Sequence, residues 1–295
     1  MKEKSWLPAY VALGTVWGCS FIFIKLGLEF LTPVGVAFVR TSLGAITLLV
    51  ILKSRQISLP KDRKIWGHLW VVAMLLNVVP GVLFGFAETR VTSVLAGIVN
   101  AVTPLMTLLA IFVAFRGEKP KRYQVIGLTI GFTGVLTVLG IWRGMGQNSL
   151  LAVLALVAAA TCYGISFPYS QKFVLPYKLQ PEALATIQIS LAAATLLPFY
   201  LMNGISRDQY RPGPIFAMLA LGVLGTGYAY IWNFKIMAAA GSAIASSVTY
   251  VTPVVAVIVG VLFLGEPVSW HEPVGGAIVL IGAAIAQGRI KMNRV

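Results

Sequence analysis

Long apolar runs separated by short polar segments dominate the chain. Ten runs of roughly 18 to 24 residues are present, and a helix needs about 20 residues to cross the hydrocarbon core of a bilayer. The predicted spans are approximately 6–29, 34–52, 69–87, 93–115, 123–141, 150–171, 182–202, 214–236, 242–264 and 271–288. The pattern predicts an all-α polytopic membrane protein with ten transmembrane helices.

The composition supports this interpretation. Hydrophobic residues make up 58% of the 295 residues and charged residues only 11%, whereas an ordinary soluble domain has about 25% charged residues. So few charges cannot cover a water-facing surface, which argues against a soluble enzyme.

The basic excess of the chain predicts its orientation. Lys and Arg total 23 against 9 Asp and Glu, a net charge of +14. With a cytoplasmic N-terminus, about 17 basic residues fall in cytoplasmic segments and about 4 on the other side, as the positive-inside rule requires. We therefore expect a multi-pass inner-membrane protein with both termini in the cytoplasm. The longest cytoplasmic segment, about residues 53–68, is too short to fold as a nucleic-acid-binding module.

The two halves of the chain repeat each other. The fourth run, SVLAGIVNAVTPLMTLL, is similar to the ninth, SAIASSVTYVTPVVAVI, with the two Thr-Pro pairs 149 residues apart. The TVWGCSF segment of the first run matches TCYGISF of the sixth and aligns Trp17 with Tyr163, while the second and seventh runs align Arg40 with Gln188. Five helices in each half make the repeats inverted, with bounds 8–141 and 150–288. Inverted repeats are the architecture of secondary transporters.

Several marks of the repeat resemble a known family. They are the aromatic-Gly-x-Ser-Phe segment of each first helix, the Ala-Phe-Val-Arg stretch that ends at Arg40, the Thr-Pro of each fourth helix, and the pairs Gly117–Glu118 and Gly265–Glu266 before each Gly-rich fifth helix. Over about residues 10 to 287 the chain resembles the EamA-type branch of the drug/metabolite transporter superfamily. The resemblance implies export or uptake of small metabolites, often amino acids. It also implies a central cavity lined mainly by the first, third and fourth helices of each half.

Polar and aromatic residues at helical spacing are the candidate substrate contacts. Asn77, Gly81, Phe84 and Glu88 share one face of the third span, since residues three, four and seven apart lie together on a helix. The substrate-binding candidates are Trp17, Ser20, Asn77, Asn100, Thr103, Tyr163, Ser166, Tyr228, Trp232 and Tyr250. The alternatives are hydrogen bonds between helices for the asparagines and lipid-facing packing for some of the aromatic residues.

Two prolines and one arginine carry further hypotheses. Pro104 and Pro253 each remove a backbone hydrogen bond inside a span, which predicts a hinge or a static kink. Arg40 is a candidate ligand for a substrate carboxylate or a residue that snorkels to the interface. Because its repeat partner is Gln188, we favour the structural role.

Every acidic residue falls in a loop or near the end of a span, including Glu88. Proton-coupled carriers usually rely on a membrane-buried ionisable group. The sequence therefore predicts a uniporter or a carrier coupled by some other route.

These observations together predict a secondary transporter that exports small metabolites such as amino acids by alternating access. Cys19 and Cys162 lie within spans and form no metal cluster, and the sequence contains no HExxH, GxSxG or P-loop motif. We expect no cofactor, no metal and no enzymatic activity; the expected partners are a small-molecule substrate and the lipid bilayer. The alternative is a non-transporting structural or sensory membrane protein. The sequence does not indicate whether the protein is a monomer or an oligomer.

Overall fold

The regular structure is helical. A computed structural model describes residues 6–114, 122–138, 150–206 and 211–286, and in these ranges the exception is one isolated β-bridge between Leu31 and Ile205. The helices are α1 (Leu7–Gly27), α2 (Pro33–Ser54), α3 (Arg63–Ala73), α4 (Val79–Glu88), α5 (Ser93–Asn100), α6 (Thr103–Val113), α7 (Arg122–Val138), α8 (Leu150–Phe173), α9 (Pro181–Asn203), α10 (Pro212–Gly222), α11 (Ala229–Ala240), α12 (Ser242–Ser246), α13 (Val251–Leu264) and α14 (His271–Ala286). Short 3-10 helices lie at Leu175–Tyr177 and Ser247–Tyr250.

Eight helical segments of the described chain are long and apolar enough to cross a membrane. They are Leu7–Gly27, Pro33–Ser54, Arg63–Glu88, Ser93–Val113, Leu150–Tyr177, Pro181–Asn203, Pro212–Ala240 and Ser242–Leu264. The remaining predicted runs correspond to α7, with 17 residues, and α14, with 16 residues. The prediction of an all-α polytopic membrane protein is confirmed at this level. The Gly117–Glu118 pair lies outside the described residues.

The helices form a bundle whose two ends are defined here by α1. The N-end holds the beginning of α1, and the far end holds its last turn. At the N-end, Arg55 Nη1 and Glu182 Oε1 form a salt bridge of 2.6 Å between α2 and α9. At the far end, the Thr32 hydroxyl donates to the Asn203 carbonyl at 2.7 Å. Both contacts join the first half of the chain to the second.

The fourth and ninth spans are broken where the sequence predicts continuous helices. A turn at residues 101 and 102 separates α5 from α6, and a 3-10 helix separates α12 from α13. Pro104 and Pro253 then occupy the first turns of α6 and α13. Proline is favoured there because the first amides of a helix have no carbonyl partner within the helix. Each proline therefore begins a new helix rather than bending an old one.

The third and eighth spans each contain a π-helical turn. The turns lie at Met74–Val78 and Val223–Tyr228, so their first residues are 149 positions apart, the same offset as the two Thr-Pro pairs. A π turn adds one residue to the helix. Residues beyond it are therefore rotated by about 100° from the positions that an uninterrupted α-helix would give them.

Glycine residues bring α7 and α14 into backbone contact. A Cβ atom on Gly134 would lie 2.6 Å from the Val279 nitrogen, and one on Gly275 would lie 2.4 Å from the Val138 nitrogen. These distances leave no room for a side chain, as in other membrane helix pairs packed through small residues. The pair joins the fifth helices of the two halves.

Large apolar side chains cover the outside of the bundle. Leu201, Met202, Leu262 and Phe263 each expose more than 70% of their surface. Such exposure is unfavourable in water and ordinary against lipid. The surface therefore fits a bilayer.

Candidate substrate site

A small cavity lies between the two halves. The centres of water molecules can occupy about 40 Å³ of it, which is room for a few waters. The lining residues are Trp17, Ser20, Phe21, Ile24, Arg40, Leu76, Phe84, Asn100, Tyr163, Phe167, Tyr230 and Thr249. They come from the first, third and fourth spans of each half, with Arg40 added from the second.

Aromatic residues make up half of the cavity lining. The Trp17 and Tyr230 rings meet edge to face at 5.9 Å between centroids. Phe84 contacts Phe21 at 5.6 Å and stacks on Tyr163 at 5.7 Å. Rings at these separations attract one another and present flat apolar faces to a ligand.

Arg40 brings a positive charge to this aromatic wall. Its side chain is 8% exposed, and its Nε atom donates to the Thr226 hydroxyl at 3.2 Å. The terminal guanidinium nitrogens have no hydrogen-bond partner among the described residues, and no described carboxylate lies within 4 Å. Arg40 therefore does not snorkel to the interface. A charge held without a counterion inside a membrane protein indicates a functional site.

Polar side chains join the two halves beside the cavity. Asn100 donates from Nδ2 to the Thr252 hydroxyl at 3.3 Å and accepts at Oδ1 from the Thr103 hydroxyl at 3.2 Å. These contacts lie at the breaks in the fourth and ninth spans. The broken helices therefore meet at the cavity.

Of the predicted substrate contacts, Trp17, Ser20, Asn100 and Tyr163 line the cavity. Four are buried or half-buried beside it, and they are Asn77, Thr103, Ser166 and Tyr250. Two lie elsewhere, because Tyr228 is 39% exposed on the outside of the bundle and Trp232 packs against it, with ring centroids 6.1 Å apart. All ten remain predictions as substrate contacts.

Tyr230 is the cavity residue that the eighth-span stripe missed. The predicted contacts of this span are Tyr228 and Trp232, whereas the buried face contains Tyr230, Asn233 and Met237. The π turn at Val223–Tyr228 immediately precedes these residues. Both faces of this helix carry aromatic residues, so the sequence pattern alone does not indicate which face lies inward.

Glu88 corrects the prediction that no ionisable group is buried in the membrane region. It is the last residue of α4, its exposure is 0%, and neither carboxylate oxygen has a hydrogen-bond partner among the residues that the structure describes. The Asn77–Glu88 stripe contained the signal for this burial, since Asn77, Gly81, Phe84 and Glu88 are all buried. For Glu88, the helix face on which a residue lies predicted its burial, whereas its place at the end of the span suggested exposure.

A second carboxylate at the far end is fully engaged. Glu266 accepts hydrogen bonds from the Ser93 amide, the Ser93 hydroxyl and the Val94 amide at 2.8 to 3.0 Å. It therefore caps the N-terminus of α5, where the helix dipole favours negative charge. The contact links the second half to the first at the far end.

An open pocket lies at the N-end. The centres of water molecules can occupy about 360 Å³ of it, between Ile111, Pro168, Gln171, Lys172 and Ser242. The Gln171 side chain accepts from the Ser242 amide at 2.8 Å at its edge. This pocket lies at the opposite end of the bundle from the Glu266 cap.

Comparison with known proteins identifies the family. The model of the EamA-like transporter family matches residues 4–140 and 150–287. The chain belongs to this family. The family is one of transporters, and the relatives described below are named as transporters. The chain is therefore a membrane transporter, and the expectation that it is not an enzyme is confirmed.

Individual relatives agree over nearly the full length. The uncharacterized inner membrane transporter YedA of Escherichia coli K12 is 28% identical over 98% of this chain and 94% of its own. The aromatic amino acid exporter YddG of Salmonella typhimurium is 26% identical over 96% of this chain and 97% of its own. A solved crystal structure of a protein matches with a TM-score of 0.71 and 18% identity over 98% of this chain and 99% of that one, which supports the fold alone.

Proposed function

We propose that this EamA-family protein is a secondary transporter that exports small metabolites bearing a carboxylate and an aromatic or apolar group, with aromatic amino acids as the leading class. It works by alternating access, with ten transmembrane helices in two inverted five-helix repeats and α7 and α14 as the fifth helices. It resides in the inner membrane with the N-end in the cytoplasm. The 17-to-4 distribution of basic residues supports this orientation.

The observation that carries the substrate class is the guanidinium of Arg40 inside an aromatic cavity. The terminal nitrogens lack protein partners, and a carboxylate satisfies two of them at once in a bidentate pair. The rings of Trp17, Phe84 and Tyr230 suit a flat apolar group beside it. One relative is named as an aromatic amino acid exporter, which supports the same class and direction.

Counterflow in proteoliposomes tests the proposal. Vesicles loaded with unlabelled L-phenylalanine should accumulate radiolabelled L-phenylalanine transiently. Unlabelled 3-phenylpropionate, which keeps the carboxylate, should compete, whereas phenethylamine, which lacks it, should not. No counterflow for a panel of amino acids by correctly folded protein would contradict the proposed substrate class.

Two arginine variants distinguish the loss of a positive charge in the cavity from the loss of a positive charge elsewhere in the protein. Arg40→Gln removes a charge-assisted contact worth about 1.5–3 kcal/mol, so the KM of counterflow should rise by about 10- to 100-fold. Arg90→Gln is the matched control, because Arg90 is exposed and its guanidinium stacks over Phe86 outside the cavity. Equal effects of both variants would contradict the assignment of the carboxylate to Arg40.

A further inference from the structure

Glu88 and Glu266 lie at the same end of the bundle in opposite chemical situations. Glu266 accepts three hydrogen bonds from Ser93 and Val94. Both oxygens of Glu88 are buried without a partner. Donors stabilise the charged form of a carboxyl group, and burial without donors favours the neutral form.

The Lys25 ammonium near Glu88 is committed to backbone carbonyls. The Lys25 ammonium donates to the backbone carbonyls of Glu88 and Val91 at 2.6 and 3.0 Å. No described cation lies within 4 Å of the Glu88 carboxyl oxygens. The chain therefore holds a carboxyl group in an apolar site and supplies nothing that stabilises its anion by direct contact.

Charged and titratable groups act on Glu88 from the surrounding elements. They are Lys25 from α1, Arg40 from α2, Tyr163 from α8 and Glu266 from the segment after α13. The two cations favour the anion of Glu88, whereas Glu266 opposes it. Arg40 and Tyr163 both line the cavity. The protonation of Glu88 and the charge of a bound substrate therefore influence each other.

Glu88 also lies close to the cavity along its own helix. Phe84, four residues earlier on the same face, lines the cavity, and four residues advance a helix by about 6 Å. A change at Glu88 is thus one helical turn from the substrate.

We propose that Glu88 is a proton-binding site that couples transport to the pH gradient. In the conformation with the far end closed, the carboxyl group holds its proton. When water reaches it, the O–H bond breaks, the electron pair stays on the carboxylate and the proton passes to water. The carboxylate then gains the attraction of Lys25 and Arg40. This proposal replaces the expectation of a uniporter. The proton site stands on its own, whereas the coupling of that site to substrate flux rests on the proposed function.

Infrared spectroscopy tests the proton site without any substrate. Difference spectra of the purified protein in lipid nanodiscs are recorded between about pH 6 and about pH 9, above the range of exposed carboxyl groups. The wild type should lose a band of protonated carboxyl as pH rises, and Glu88→Gln should lack this component. Glu29→Gln is the matched control, since Glu29 is exposed near the end of α1, and should retain it.

A Glu88→Gln spectrum identical to that of the wild type would overturn the proposal. Should this variant fail to fold, Glu88→Asp keeps the carboxyl group and must shift the frequency of the band; an unshifted band would overturn the proposal equally.

Flux measurements test the coupling. L-phenylalanine accumulation driven by a pH gradient, imposed in either polarity, should fall about 10-fold or more in Glu88→Gln, while counterflow stays within about 2-fold of the wild type. Gradient-driven accumulation that survives in Glu88→Gln would overturn the coupling role. Absent counterflow of L-phenylalanine in the wild type would refute the proposed substrate and leave the infrared result to decide the proton site.

Discussion

Gln188 donates a hydrogen bond from Nε2 to Oδ1 of Asn77 at 2.5 Å, between the second helix of the second half and the third span of the first half. Arg40 and Thr226 make the equivalent contact with the halves exchanged. The offsets are 148 residues from Arg40 to Gln188 and 149 from Asn77 to Thr226. One of these two equivalent contacts therefore joins two neutral amides. The other joins a threonine hydroxyl to an arginine that has no carboxylate partner among the described residues.

We expect Gln188→Leu to destabilise the protein by about 1–2 kcal/mol, because Asn77 is left buried without its donor. The coupling energy from a double-mutant cycle with Asn77→Leu should be about 0.6 kcal/mol, and at most about 1.7 kcal/mol, as for other hydrogen bonds between membrane helices. Reversible unfolding in mixed detergent micelles measures both values. Additive effects of the two substitutions would contradict a direct contact.

The register of the eighth span gives a second prediction. Tyr230→Leu should raise the KM for L-phenylalanine counterflow by about 2- to 10-fold, because it removes an aromatic contact from the cavity. Tyr228→Leu, on the exposed face, should leave the KM within about 2-fold of the wild type. A larger effect at Tyr228 than at Tyr230 would contradict the assignment of Tyr230 to the substrate cavity.

Glu266 provides a test of closure at the far end. Glu266→Gln removes the charge that three donors of α5 stabilise, at a cost of about 1.4 kcal/mol or more, and should favour opening of that end about 10-fold. The measurement is the labelling rate of a cysteine introduced by Ile24→Cys, which lines the cavity, in a Cys19→Ala, Cys162→Ala background. A membrane-impermeant maleimide reports access from outside.

Glu29→Gln removes an exposed carboxylate at the same end and should leave the labelling rate unchanged. If Glu266→Gln labels no faster than its parent, the Glu266 contact is not what holds the far end closed.

Two glycines should respond to alanine in opposite directions. Gly134→Ala forces a Cβ atom against the α14 backbone and should destabilise the protein by about 1–3 kcal/mol, as overpacking does elsewhere. Gly67 is exposed in α3 with nothing within 4 Å of its Cβ position, so Gly67→Ala should stabilise by about 0.5–1 kcal/mol. Unfolding of both variants under one condition checks the signs.

The helical spans and their repetition were predictable because membrane helices must be apolar over a fixed length, and the Thr-Pro pairs recur at a constant offset. The face of the third span was predictable as well, since Asn77, Gly81 and Phe84 follow an uninterrupted helical stripe to Glu88. The predicted stripe begins within the last residues of the π turn and continues through α4.

Other features depend on contacts that the local sequence does not encode. The eighth span carries aromatic residues on two faces, so its pattern does not distinguish Tyr230 from Tyr228 as the cavity residue. Glu266 caps the helix that begins at Ser93, which lies 173 residues away in the other half of the chain. The helix pattern indicates that Glu88 is buried, but it does not indicate that the nearby Lys25 ammonium donates to backbone carbonyls instead of to the Glu88 carboxylate.

The glycine contact between α7 and α14 has a mechanical consequence. With backbone against backbone, no layer of flexible side chains remains that could stretch or compress between the two halves. In the proposed transport cycle, this pair should therefore act as one of the rigid contacts between the halves. We expect the distance between α7 and α14 to change less than distances between helices that pack through long side chains.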